Sequence, residues 1–246
     1  MKIYLAALAD REFLKDIVKK DIAVLDSFYY LKKNNWITKK LKKNFFENFL
    51  LDSGAFTFMS NKERKVNWVE YVDEYINFIN ENNIESFFEL DIDSLVGLKK
   101  VEKLRNYLEK KTNKQSIPVW HKSRGEQYFI DMCKKYNYVA IGGIVSKEIK
   151  KRDYKYFPWF IDTAHKYNAK IHGLGLTNMK AMKKYNFDSV DSTSWKGSRW
   201  GTVYNFNGKT IKSHSRKNQK TISYKKVERH NFKEWVKFQK YADKKL

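Results

Sequence analysis

Short apolar runs rich in β-branched and aromatic residues alternate along this chain with stretches whose apolar positions recur every three or four residues. The first pattern fits a buried strand and the second an amphipathic helix. Strands are predicted at 2–8, 45–51, 84–92, 117–120, 138–144, 170–174 and 187–190. Helices are predicted at 66–80, 101–110, 126–136, 156–167 and 178–184, and the apolar run 22–31 adds a further unit. Within 66–80 the stripe is carried by Val69, Val72, Ile76 and Ile79. A strand–helix repeat of roughly 25–40 residues is the signature of a parallel sheet with crossover helices. With this many units the expected fold is α/β, a (β/α)8 TIM-type barrel. No Gly-x-Gly-x-x-Gly follows the first strand, which weakens a dinucleotide-binding sheet.

After Trp195 the pattern changes. Residues 202–206 and 209–212 flank Asn207-Gly208, a signal for a two-residue type I′ hairpin. A Lys/Arg-rich stretch follows over 213–226, and 232–241 reads as an amphipathic helix carrying Trp235, Val236 and Phe238. No linker rich in Pro, Gly or Ser interrupts the chain, so one domain is expected over 1–246. Its last part, about 202–246, would be a basic hairpin-and-helix extension.

Composition narrows the function. The 246 residues suit one barrel and one full core. A formal charge of +22 favours polyanionic partners, although a lysine-rich composition alone produces such a charge. Cys133 is the only cysteine, so no disulfide forms within the chain and no cysteine cluster holds zinc. It lies in an apolar-periodic stretch and reads as a core residue. The N-terminus lacks a signal pattern and no apolar run approaches a membrane span, so a cytoplasmic protein without a membrane partner is expected. Few histidines lie close together, which argues against a catalytic metal. No cofactor is expected.

The candidate chemistry sits where strands end. In a parallel barrel, active-site groups lie at the carboxyl ends of strands. Asp52 opens Asp52-Ser53-Gly54-Ala55-Phe56 after a strand. One reading is a helix cap or turn; the other is a carboxylate at the barrel mouth, with Gly54 admitting a planar ligand and Phe56 stacking on it. Alternation places Asp91 and Asp93 on one side of a strand, opposite Leu90 and Ile92. Asp93 reads as a helix cap, and Asp91 as a ligand for an amidine-like edge, much as a carboxylate takes Arg. Gly142-Gly143 is either a tight turn, a phosphate cradle, or a backbone floor for a flat base. Gly173 and Gly175 repeat the device one unit later. Asp188 and Asp191, three apart, face opposite sides, and Asp191 is the better catalytic candidate. His121 and His172 also fall at strand ends, where either is more often structural than functional.

Taken together, these segments resemble the guanine transglycosylase family, the barrel enzymes that exchange guanine for a 7-deazaguanine. The family's Asp-Ser-Gly-Gly-Phe loop resembles residues 52–56, with Ala55 for the second Gly. Its strand-end Asp resembles Asp91, its Ile-Gly-Gly-Leu resembles residues 141–144, and its Met-Gly-Val-Gly resembles residues 172–175. Its pattern of two Asp three apart followed by Cys resembles Asp188, Asp191 and Ser192, with Ser for Cys. The zinc subdomain of the tRNA enzymes is absent, so the chain is most similar in character to phage-type enzymes that modify DNA.

The resemblance implies that Asp191 is the nucleophile and Asp52 the acid–base group. It implies that Asp91, Ser53, Gly54, Phe56, Gly142, Gly143, His172 and Gly173 bind the base. The partners would be DNA more readily than tRNA, and a free base such as 7-cyano-7-deazaguanine; the compartment would be the host cytoplasm if a phage encodes the chain. The target base must leave its stack, and Phe56 or Trp195 would receive it. Basic side chains over 196–229, among them Lys196, Arg199, Lys212 and Arg216, would hold phosphates.

Overall fold

Seven of the apolar runs become strands: β1 (Lys2–Ala6), β2 (Val24–Ser27), β3 (Phe49–Asp52), β4 (Val119–Trp120), β5 (Tyr138–Ile141), β6 (Lys170–Gly173) and β7 (Ser189–Ser192). The computed structural model describes residues 1–33, 35–54, 57–58, 66–215 and 223–246, without the Arg199 side chain. The strands form one parallel sheet in the order β3-β2-β1-β7-β6-β5-β4. The sheet is curled, because one short segment reaches both of its outer strands. Phe88 N donates to Leu51 O at 3.0 Å, and Ile117 N donates to Phe87 O at 2.8 Å.

That segment was expected to be a strand over 84–92, but its pairing is limited to isolated bridges at Phe87 and Phe88. The reason is local. The Glu89 carboxylate accepts from Val119 N at 2.7 Å, so a side chain takes the place of a ladder carbonyl. The chain then turns, with Ile92 N donating to Leu90 O at 3.0 Å, into the short helix Asp93–Val96. Asp91 and Asp93 therefore do not share a strand face.

Strand alternation divides the interior in two. Tyr4, Ala6, Leu25, Leu50, Phe88, Ile117, Val119 and Ala140 form one apolar cluster drawn from around the sheet. Their neighbours Ile3, Leu5, Val24, Leu51, Val139, Ile141 and Val190 belong to a second, larger cluster with helical side chains such as Tyr75, Ile79, Val101, Phe129 and Phe157. The helix Trp68–Glu81 is capped by Asn67, whose side chain accepts from Val69 N and Glu70 N. It buries Trp68, Tyr71, Val72, Tyr75, Ile76 and Ile79, while Val69 is 55% exposed. The expected stripe is thus rotated toward the aromatic residues, which offer more area to bury.

The C-terminal extension pairs β8 (Thr202–Phe206) with β9 (Ile211–Ser215) in an antiparallel hairpin. Its tip is Gly208-Lys209, one residue later than predicted. Asn207 closes the loop itself: its N donates to Thr210 O, and its side chain accepts from Lys209 N and Thr210 N. The last helix, Tyr224–Lys245, is far longer than 232–241. Polar residues dock it against β8. Asn231 accepts from Tyr204 N and donates to Thr202 O, and Glu234 accepts from Phe206 N. These contacts cover the β8 edge, which otherwise exposes unpaired backbone groups. At the start of the helix the buried Glu228 accepts from Arg11 Nε at 2.8 Å. Among the described residues no helix is long and apolar enough to cross a membrane. Cys133 is buried, and burial pushes its thiol up to about 12.

Candidate functional site

β3 ends on Asp52, and Asp191 is the third of the four residues of β7. In a parallel sheet both therefore lie at the same edge, the carboxyl ends of the strands. The register pairs Ser27 with Asp52 and Tyr4 with Asp191. Asp52 is half-buried. Burial, followed by the charge of Asp91, raises its carboxyl to about 7; the Ser27 hydroxyl and the Gly54 amide oppose this, and Asp191 adds to it. Asp52, Asp91 and Asp191 thus share one electrostatic site although they are far apart in sequence.

Asp191 is held by donors. Its Oδ1 accepts from Gly175 N at 2.6 Å and lies 3.2 Å from His172 Nε2. His172 Nδ1 is 2.6 Å from Ser189 Oγ, which in turn meets the Tyr138 hydroxyl. An Nε2–H tautomer satisfies every member of this chain: Tyr138 donates to Ser189, Ser189 to His172, and His172 to Asp191. Among the described residues, Oδ2 of Asp191 carries no hydrogen bond, and the side chain remains 11% exposed. Asp188, as alternation requires, turns the other way and accepts from Ile171 N and His165 Nε2.

A second arrangement surrounds Asp91. Its Oδ2 is 3.2 Å from His121 Nε2, and His121 Nδ1 is 3.2 Å from Glu148 Oε2. Burial pulls the imidazole down, but Asp91, Asp93 and Glu148 together push it up to about 9. His121 is thereby a cation at neutral pH between two carboxylates. Glu148 is fixed in turn by Lys122 N, which donates to Oε1 at 2.7 Å.

The glycines serve these side chains. A Cβ on Gly142 would meet His121 Cε1 at 2.6 Å, and one on Gly143, at φ +81°, would meet Glu148 Oε2 at 2.9 Å. A flat ring does lie against Gly142, but it is the protein's own imidazole, so the expected open floor is filled. Gly54 has φ +83° and packs on Tyr29, Tyr71 and Ser27, so these residues rather than a ligand demand its lack of a side chain. Ser53 is buried, with its carbonyl accepting from Tyr71 Oη at 2.7 Å. Gly173 packs against Leu176 and Phe187. His172 is wholly buried and positions Asp191 rather than facing the mouth.

Trp195 is likewise fully buried, with Nε1 donating to Ala6 O at 3.0 Å and its ring on Phe232, and it cannot receive a base. Lys196 is half-buried and 3.6 Å from Asp10, while Lys212 is exposed on β9. Phe56, Arg216 and the Arg199 side chain lie outside the described residues.

Beneath the acids lies a group that periodicity did not reveal. Glu89, with no exposed surface, accepts from Arg105 Nη1, Arg124 Nη1 and Val119 N. Arg124 also grips Asp93 with two bonds of 2.6 and 2.8 Å, so Asp93 is an ion-pair partner rather than a cap. The one sequence signal was a glutamate inside the apolar run Phe87-Phe88-Glu89-Leu90. Among the described residues no cluster of three His, Cys, Asp or Glu is placed to hold a metal ion. No family model and no curated protein matches this chain.

The raised carboxyl of Asp52 has a measurable cost. A carboxyl with a folded pKa near 7 against an ordinary value of 3.8 stabilises the fold below the ordinary value and loses that contribution as pH rises through 7. Asp52→Asn removes the charge that must otherwise be buried. The variant is expected to be more stable than wild type at pH 8, by on the order of 1–2 kcal/mol, with the difference shrinking toward pH 5. Urea denaturation at the two pH values checks this; an equal difference at both would refute it.

Proposed function

We propose that the chain is a closed (β/α)8-type barrel that exchanges guanine in a nucleic acid, DNA in preference to tRNA, for a 7-deazaguanine. Closure is supported by the segment 86–89 that bridges both outer strands and by the inner cluster drawn from five strands and that segment. One observation carries the chemistry: a carboxyl raised to about 7 shares a site with a carboxylate anchored through a single oxygen. A carboxyl that keeps its proton near pH 7 suits the acid role, and the Asp191 oxygen left without a hydrogen bond among the described residues suits the nucleophile.

The steps balance. Asp191 Oδ2 attacks the sugar C1′, the C1′–N9 bond breaks, and Asp52 delivers its proton to the departing guanine. The incoming deazaguanine then loses its N9 proton to Asp52, its N9 attacks C1′ from the vacated side, and the bond to Asp191 breaks. Two inversions give net retention. Asp91, oriented by His121, would take the base edge, and exposed lysines such as Lys212 would meet phosphates.

The test is incubation with guanine-labelled DNA or tRNA and 7-cyano-7-deazaguanine. Label release that depends on the added base is expected, faster from DNA and declining above pH 7 as Asp52 loses its proton. No release from either nucleic acid would overturn the reading, and release from tRNA alone would change the substrate.

A further inference from the structure

We propose that Trp200 is a stacking platform for an unpaired nucleobase of the nucleic acid that this site acts on. The inference rests on the nucleic-acid reading above. Trp200 is 78% exposed, more than any other large apolar side chain among the described residues. It ends the 3-10 helix Ser194–Trp200, which begins three residues after Asp191, on the side where β7 carries its acid. At about 2 Å per residue this helix is roughly 14 Å long, which limits how far Trp200 lies from the strand end that carries Asp191.

The helix is also rigidly seated. Trp195 locks its first turn to Ala6 at the carboxyl end of β1 and to Phe232, and Lys196 ties it to Asp10. Its end is fixed by Gly201, in the left-handed region at φ +74°, whose N donates to Ser198 O. An indole held out by a scaffold of this kind loses little conformational freedom when it meets a flat partner. The chain therefore spends one tryptophan on anchoring the helix and presents the other to solvent.

The charge of the chain selects the occupant. A second copy would bring another +22 against the first, whereas a nucleic acid brings phosphates. An exposed aromatic face on a strongly basic protein suits single-stranded bases, and it tolerates any sequence because every base has a π-face. A base extruded for reaction leaves its neighbours unstacked, and an exposed indole on the helix that follows β7 offers such a neighbour a face.

The experiment uses the full chain carrying Asp191→Asn, so that binding is read without covalent chemistry. A fluorescent single-stranded DNA oligonucleotide is titrated against this protein and against versions that also carry Trp200→Ala or Trp200→Phe. Trp200→Ala is expected to weaken binding by about 5- to 100-fold, and Trp200→Phe by no more than about threefold. Equal affinity in all three proteins would overturn the proposal, as would a dimer in sedimentation that Trp200→Ala dissolves, which would make a second copy the occupant. The outcome is separable from the enzymatic reading. Weakened binding with no base exchange in wild type leaves Trp200 in place and removes the transglycosylase; base exchange with unchanged binding removes Trp200 alone.

Discussion

Asp191→Asn is expected to abolish base exchange, lowering its rate by at least about 10³-fold, while the protein still folds. The amide keeps an oxygen that accepts from Gly175 N and His172 Nε2, so the strand end keeps its anchors. The group replacing Oδ2 becomes an NH₂, which is not a nucleophile toward C1′. Wild type should form a denaturation-resistant adduct with its nucleic acid, visible as a shifted band on a denaturing gel, and the variant should form none. A thermal melt close to wild type would show that the loss is chemical. Full activity in Asp191→Asn would remove the nucleophile from the proposed mechanism.

Arg124→Met should cause the largest loss of stability, about 3–5 kcal/mol at pH 8. Arg124 has an almost fully buried side chain and joins Glu89 to Asp93 through three hydrogen bonds. Burial raises the Glu89 carboxyl, and Arg124 and then Arg105 oppose the rise. Removing Arg124 leaves a buried carboxylate with one guanidinium and raises the carboxyl further. A carboxyl raised in the folded state destabilises above its ordinary range and recovers as it takes up a proton. The deficit should therefore be greatest at pH 8 and smaller at pH 5, as read from urea denaturation of variant and wild type. Adding Glu89→Gln should recover part of it. A deficit below about 1 kcal/mol that ignores pH would show that the pair contributes little.

The consequence for the proposed site is mechanical. Arg124 follows His121 by three residues, and the 3-10 turn Lys122–Arg124 links them. Glu89 and Asp93 flank Asp91. The buried pairs therefore fix the two segments that bring His121 to Asp91, and a loosened network would be felt in base recognition before it reached Asp191 on the far strands.

The sequence alone determined what depends on residues close together in the chain. Strand alternation and helical spacing are local properties. They located six of the seven strands and most helices to within a few residues, left the strand Val24–Ser27 as an unassigned apolar run, put Asp52 and Asp191 at strand ends, and turned Asp188 away from Asp191. They failed where a local signal was ambiguous, as at 84–92, where one glutamate ended the ladder, and at Asn207, where a side chain moved the hairpin tip by one residue. Only the tertiary structure decided which distant groups meet. Glu89 with Arg105 and Arg124, His121 between Asp91 and Glu148, and Asp191 on Gly175 and His172 all join different strand–helix units, and no periodicity records such pairs. The two tryptophans of the helix Ser194–Trp200 show the same division. They are alike as residues and five positions apart, yet Trp195 is covered by Phe232 of the last helix while Trp200 faces solvent, because a side chain's burial depends on what the rest of the fold brings to it.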